Sequence, residues 1–297
     1  MVKEKLKRTY NPGTANRWIW YSIGTILLIF FIIRIFSASS ISSGLFSGDK
    51  IGIVRLDGLI ISSEQVNKQL NDYSERLDIK AIVLRINSGG GVVGASKEIY
   101  EKVKDLKNKV PIIVSIDNVA ASGAYYAALE SEMIVANNGS LVGSIGVILD
   151  YPVITELFNK IGLRVETVKS GALKDSGSPT RPVSRADREY FQAVVDDQHD
   201  QFINAVAIGR NLPVDAVRKL ADGRIFTGNQ ALELSLIDTI GTFEDAIAIA
   251  GKIGGIKGKP KMVEVMKKRK SIFDLLYNEF RQKMRSRIGV EPAYRWQ

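Results

Sequence analysis

The chain has 297 residues, no cysteine and a single histidine, His199, which leaves room for one sizeable core or two small ones. Without cysteine there is no thiol nucleophile, disulfide framework or thiolate metal site, and one histidine alone does not make a zinc centre. The net charge of +9 sits at the ends, with five Lys/Arg against Glu4 in residues 1–17 and twelve Lys/Arg against four acids in residues 256–297. The body between them is therefore mildly acidic, and it lacks the positive folded surface that binds nucleic acid.

In chain order, residues 1–17 are polar and basic, with Lys3, Lys5, Lys7, Arg8 and Arg17. Residues 18–36, from Trp18 to Phe36, are apolar on every face, which is not the pattern of an amphipathic core helix. The run is long enough to cross a bilayer, which takes ~17–25 residues. Trp18, Trp20 and Tyr21 supply an aromatic belt at its entry, and Arg34 snorkels near its exit. The basic flank before it predicts a cytoplasmic N-terminus and a body outside the cytoplasm. The apolar run exceeds an ordinary signal-peptide h-region, so an uncleaved anchor is expected. Residues 37–50, rich in Ser and Gly, read as a flexible stalk.

From Ile51 strand and helix patterns alternate. Strands are predicted at 51–56, 80–86, 111–116, 132–136, 145–149 and 164–168. Helices are predicted at 63–77, 95–109, after Ser122, at 152–162, and then at 184–209, 213–220, 228–234 and 242–251. This alternation argues for one layered α/β domain over residues 51–255. Residues 256–297 form a basic tail. In it Lys267-Lys-Arg-Lys270 precedes Ile272, Leu275, Leu276, Phe280 and Met284, an apolar stripe at helical spacing. That stripe reads as a solvated basic helix or as one that docks on lipid head groups.

Three stretches carry chemistry. Asn118-Val-Ala-Ala-Ser-Gly-Ala-Tyr-Tyr126 places Ser122 where a strand ends and a helix begins. A hydroxyl with small neighbours at such a junction is either a displayed nucleophile or a helix cap. His199 lies among Asp196, Asp197, Gln198 and Asp200 and is expected on a solvated helix face, so a Ser-His-Asp triad is not expected. A nucleophilic Ser122 then takes a lysine as its base. Lys174, in the Gly/Ser/Pro-rich loop Lys169–Arg181, is the candidate; its alternative is a surface lysine paired with Asp175 or Asp187. Keeping its amine neutral near pH 7 costs roughly 4–5 kcal/mol, which burial or nearby positive charge must supply. Asn87-Ser-Gly-Gly-Gly-Val-Val93 follows a strand, and its glycines suit an oxyanion hole, a phosphate or a tight turn. In Gly139-Ser-Leu-Val-Gly-Ser-Ile-Gly-Val147, Ser144 is either a competing nucleophile or a hydroxyl that orients the lysine.

Taken together, these stretches resemble the bacterial signal peptide peptidase A family of Ser-Lys membrane proteases, in its shorter, single-domain form. Ser170-Gly-Ala-Leu-Lys174 with Ser178-Pro-Thr-Arg181, Ala221–Ala231 and Leu236–Gly241 join the match, which spans about residues 50–250 in order. The resemblance implies a crotonase-like fold related to the Clp protease subunit. It implies Ser122 as nucleophile, Lys174 as general base, the Gly90–Gly91 backbone as oxyanion hole and Ser144 as a hydroxyl near the lysine amine. No cofactor or metal is implied. The implied substrates are signal peptides left after secretion and other unfolded apolar peptides, cut at the outer face of a bacterial cell membrane. Homo-oligomeric rings are implied too, with Ser122 of one subunit meeting Lys174 of the next, and so is trimming of the C-terminus beyond Met262. Two positions depart from the family pattern: Gly89 where proline is usual, and Ala124 where a second glycine is usual. Two other readings of the same motifs are a related Ser-Lys protease acting on a stomatin-like partner and a crotonase-type acyl-CoA enzyme.

Overall fold

The computed structural model describes residues 48–264, together with Thr25, Leu27 and Leu28. Eight strands form one sheet: β1 (Lys50–Asp57), β2 (Ile79–Ser88), β3 (Ile112–Ala121), β4 (Met133–Ala136), β5 (Leu141–Gly143), β6 (Ile225–Thr227), β7 (Thr239–Ile240) and β8 (Lys261–Glu264). Within residues 48–264 eight helices accompany them: α1 (Glu64–Ser74), α2 (Val93–Leu106), α3 (Gly123–Ala128), α4 (Thr155–Lys160), α5 (Arg185–Arg210), α6 (Val214–Leu220), α7 (Gly228–Glu233) and α8 (Phe243–Ile253). The sheet runs β6-β5-β3-β2-β1-β8, with β4 and β7 branching from β3. All pairs are parallel except β5–β6.

The central strands are continuous apolar runs because both of their faces are covered. Alternate residues of β1 to β3 go to opposite sides of the sheet. Val54, Leu56, Ile82, Leu84, Ile112 and Val114 join the larger core under α1, α2, α3 and α5. Ile51, Ile53, Ala81, Val83 and Ile113 join a smaller one with Ala246 and Ala250 of α8.

The strands and helices expected at 51–56, 63–77, 80–86, 95–109, 111–116, 132–136 and from 184 to 251 form, with shifted ends. Four short strands come in addition. Among them β8 draws residues 261–264, which composition assigns to the tail, into register beside Lys50–Ile53 of β1. Two expected strands do not form. After β5, residues 144–154 have no regular structure, and neither do 163–169. Gly143 and Ser144 both take positive φ, 100° and 50°, which ends β5 early. Among the described residues, 164–168 find no strand to supply a ladder, and Val168 is 102% exposed. A period-2 pattern without a partner strand does not make a strand. The helix expected at 152–162 shrinks to α4, which buries none of its residues.

Among the described residues no helix is long and apolar enough to cross a membrane. Apart from Thr25, Leu27 and Leu28, the anchor expected at 18–36 lies outside those residues, as do the basic N-terminus and the tail beyond 264.

The feature of the sheet that matters most for the site is in β3. Its first half pairs with β4, from Ile113 opposite Met133 to Ile116 opposite Ala136. Its second half pairs with β5, from Val119 opposite Leu141 to Ala121 opposite Gly143. Between the halves the register against β2 shifts: Ile86 faces Ile116, but Ser88 faces Ala120. Such a bulge bends a strand and re-aims the residues beyond it. Here it carries the chain to Ser122 beside the end of β2.

Candidate active site

Ser122 links β3 to α3 at φ 52°, ψ −127°. A non-glycine residue held there stores about 1–3 kcal/mol of strain, and it persists only where the surroundings enforce it. The surroundings are visible. The Ser122 N–H donates to the Gly143 carbonyl at 2.8 Å, and the Ser122 carbonyl accepts from the Tyr126 N–H at 3.0 Å. Ala120, Ala124, Ala127 and Ala128 are buried around the turn. A Cβ on Gly123 would strike Ser96 Oγ of α2, so glycine is required for α2 and α3 to approach this closely. The arrangement is the strand–turn–helix elbow that displays a nucleophile.

The glycine loop after β2 lies directly on this elbow. Gly90 has φ 100°, and a Cβ there would fall 2.8 Å from Gly123 N and 2.9 Å from Ser122 Cβ. A Cβ on Gly91 would strike the Ile60 carbonyl. The loop is fixed by Ile60, whose N–H donates to the Gly90 carbonyl at 3.0 Å and whose carbonyl accepts from the Val92 N–H at 2.8 Å. Gly90 N–H donates to Ser88 Oγ at 3.1 Å, and that hydroxyl donates to the Gly58 carbonyl at 2.5 Å. The N–H groups of Gly91 and Gly123 are left without an acceptor among the described residues.

Ser122 opens onto a cavity of about 480 Å³, which Gly91, Ser144, Val147, His199 and Asp222 also line. A second, smaller space of about 40 Å³ reaches from Ser122 between Ser96, Tyr126 and Phe202. Its aromatic wall is fixed by ring contacts: Tyr126 stacks edge-on to Tyr100 at 4.9 Å and tilts against Phe202 at 5.0 Å. Burial pushes the Tyr126 hydroxyl above its ordinary pKa, with help from the Glu101 carboxylate, so it stays a neutral donor at physiological pH. Ser144 also lines the larger cavity, one residue beyond the Gly143 carbonyl that holds the Ser122 N–H, at φ 50° and with its own N–H donating to the Arg224 carbonyl at 2.8 Å. The Arg224 guanidinium in turn holds the Asp222 carboxyl down at about 2.

His199 is not solvated as the sequence suggests. It lines the cavity of Ser122, and its Nε2 is buried with no hydrogen-bond partner among the described residues. The signal for this was its spacing: His199 stands three residues before Phe202 and four before Ile203, both buried on α5. The three surrounding aspartates hide that periodicity.

Lys174 is placed differently. It is exposed on the loop between α4 and α5, its backbone N–H donates to the Gly171 carbonyl at 3.1 Å, and it lines neither cavity beside Ser122. Its Nζ has no partner among the described residues. The nearby carboxylates are engaged elsewhere: Asp175 by Lys169 at 2.6 Å and Arg181 at 2.9 Å, and Asp187 by Arg181 at 2.6 Å. Within one chain, then, Ser122, Ser144 and the glycine loop come together and Lys174 stands apart.

Known proteins bear on the same residues. The sequence profile described as Peptidase family S49 matches residues 104–257, and the Clp protease profile matches residues 58–135, the part that holds the glycine loop and Ser122. A Synechocystis sp. protein named as a candidate protease is 38% identical, over 83% of this chain and 90% of its own length. An Enterococcus faecium protein named as a candidate signal peptide peptidase is 41% identical, over 63% of this chain and 56% of its own. The chloroplastic serine protease SPPA of Arabidopsis thaliana is 34% identical, over 77% of this chain and 36% of its own. The Clp-protease-like α/β layering expected from sequence is thus the observed one. By the span of the profile and the length of the shared sequence, the chain belongs to peptidase family S49 and is a serine peptidase.

Proposed function

We propose that this peptidase works with a Ser122–Lys174 dyad completed between subunits, held at a membrane by residues 18–36, and that it degrades signal peptides and other unfolded apolar peptides. The observation that carries the reading is the Ser122 elbow: a strained serine facing a cavity, beside two backbone N–H groups that have no acceptor among the described residues. Neutral Lys174 of a neighbouring subunit takes the proton from Ser122 Oγ as the oxygen attacks the peptide carbonyl. The oxyanion is held by the N–H groups of Gly91 and Gly123. Gly90, whose own N–H is bonded to Ser88, contributes by shape. The lysine passes its proton to the leaving amine, and a water then hydrolyses the acyl-enzyme. Ser144, which lines the same cavity, supplies a hydroxyl that orients the incoming amine. The small aromatic-walled space beside Ser122 takes the residue before the cut.

Assembly is supported by the arm formed by residues 144–181, which carries Lys174. Ile148 is 85% exposed, and Val153, Leu157, Ile161, Leu163, Val165 and Leu173 are exposed as well. A second copy of the chain is the occupant we assign to this face. A head-to-tail contact that closes gives a ring in which every boundary is the same. The relative named as a candidate signal peptide peptidase supports the substrate class.

The decisive experiment is labelling of the full chain with a serine-reactive fluorophosphonate, followed by mapping of the modified residue. Label on Ser122, absent in Lys174→Ala, is expected. Label on Ser144 with Ser122→Ala still active would overturn the assignment. Mixed rings of Ser122→Ala and Lys174→Ala subunits are expected to regain about a quarter of the sites, whereas inactivity in rings proven to be mixed would place both residues in one chain. A second reading is favoured by one observation, the presence of His199 in the Ser122 cavity. A Ser122–His199 pair gives a rate governed by one group near the ordinary histidine pKa and destroyed by His199→Ala. The lysine reading gives a rate that keeps rising at higher pH.

A further inference from the structure

We propose that Arg181 is a positioning residue for Lys174: it fastens the Lys174 loop to the start of α5 and withdraws from the amine the two carboxylates that could pair with it. This rests on the reading of Lys174 as general base.

Arg181 is fully engaged. Its Nε donates to Asp175 Oδ2 at 2.9 Å. Its Nη2 donates to Asp175 Oδ1 at 3.0 Å, to the Asp175 carbonyl at 3.1 Å and to Asp187 Oδ1 at 2.9 Å. Its Nη1 donates to Asp187 Oδ2 at 2.6 Å and to the Pro182 carbonyl at 3.0 Å. Only a planar fork with five donors can bridge two carboxylates this way. Asp187 is at the same time the third residue of the α5 capping box. It accepts from the Ser184 N–H at 2.9 Å, from Ser184 Oγ at 2.7 Å and from Ser176 Oγ at 2.6 Å. The hub therefore ties the loop to the first turn of a 26-residue helix.

The chemical consequence falls on Lys174. Its neighbour Asp175 is the carboxylate best placed to pair with it. Arg181, and after it Lys169, hold that carboxylate, with its pKa down at about 2. The other groups facing the hub are Asp187 on α5 and Tyr151, which packs with Phe191 on Gly177. Arg185 turns away to Glu189 at 2.6 Å. Lys174 is thus left as an unpaired cation in a loop of net positive charge. A free carboxylate beside an amine raises its pKa by about 1–3 units, which a lysine acting as base cannot tolerate near neutral pH.

The test is the pH dependence of fluorophosphonate labelling of the full chain. Lys174→Ala is expected to stay unlabelled at every pH. Arg181→Gln is expected to move the midpoint upward by about one unit, so that labelling below it slows roughly tenfold, while the rate at high pH recovers. Adding Asp175→Asn to Arg181→Gln is expected to bring the midpoint back. A uniform loss of rate in Arg181→Gln with an unmoved midpoint would overturn the proposal and leave Lys174 as base. So would a double variant that behaves like Arg181→Gln. Normal labelling of Lys174→Ala would remove the base assignment and the hub's role with it. If Arg181→Gln fails to fold, Asp175→Asn in the otherwise unchanged chain carries the test. Because Arg181 already holds that carboxylate away from the amine, the midpoint should move by well under about one unit, and a fall of about a unit or more, the sign of a carboxylate that had been paired with Lys174, overturns the proposal.

Discussion

Ser122 ends a strand whose Ile112, Val114 and Ile116 are packed into the larger core, while Lys174 rides on an arm whose Ile148, Val165 and Val168 face outward. The body fixes its serine by close packing: glycines where backbones nearly touch, alanines behind the turn, and a bulge in β3 that sets the aim. The arm fixes its lysine by charge, through Arg181, Asp175 and Asp187, and leaves its apolar side chains uncovered. The contrast teaches that one chain can finish its nucleophile alone, because short-range contacts within it determine that geometry. The lysine proposed as base sits on a segment with no core of its own among the described residues, and in the shared-site reading it would get its final place from outside.

Substitutions can break this contrast at graded strengths. The largest effect is expected on chemistry. Ser122→Ala and Lys174→Ala should each lower the cleavage of an unfolded apolar peptide by roughly a thousandfold or more. Thermal unfolding should change little in either case. An active Lys174→Ala would show that the arm serves only assembly. Next comes packing. Leu84 on β2 is 0% exposed, and Leu84→Ala should cost about 2–5 kcal/mol in denaturant unfolding. Leu157 on the arm is 54% exposed, and Leu157→Ala should change the dissociated chain by less than ~0.5 kcal/mol. Instead it should weaken association, read by sedimentation. Equal losses of stability would mean that the arm has a core after all. Smaller again is the strain in the elbow. Ser122→Gly should abolish activity and yet stabilise the chain by ~1 kcal/mol, because glycine takes φ 52° freely. A less stable variant would mean that the turn is unstrained.

How far the sequence reveals this depends on which forces act locally. The unbroken apolar runs of β2 and β3 can be read directly, as can the small residues around Ser122, because these features act on their own neighbours. The polar pair Asp117-Asn118 hides the continuation of β3, which needs β5, a strand 20 residues further on, to pair with Val119–Ala121. The pattern at 164–168 has a strand's alternation and no partner strand among the described residues. His199 is masked by its acidic neighbours, although its spacing from Phe202 puts it on the inner side of α5. The motif around Lys174 can be read as chemistry, but its distance from the serine cavity cannot, since charge pairs that no periodicity announces hold the loop.

The smallest expected effect concerns acid. The guanidinium of Arg181 holds both loop carboxyls below their ordinary range, and Asp175 lies at about 2 against 3.8 unperturbed. A depressed folded-state pKa contributes order that is complete above the unfolded value and fades as pH drops through the folded one. Residues 169–187 should therefore loosen between about pH 4 and about pH 2 before the sheet does. Hydrogen exchange, corrected for its intrinsic pH dependence, would show this. Loosening of β2 and β3 in step with the loop would contradict it.

The bond from the Ser122 N–H to the Gly143 carbonyl joins the two regions mechanically. Gly143 is the last residue of β5, and the arm departs at Ser144, so a single peptide unit lies between the arm's root and the carbonyl that pins the serine. Anything that swings the arm works this joint like the short end of a lever. Freshly made subunits, their arms still loose, would carry a slack trigger, and docking would draw it taut. Such a linkage would let a protease pass harmlessly through its own synthesis, armed by the same contact that delivers its base.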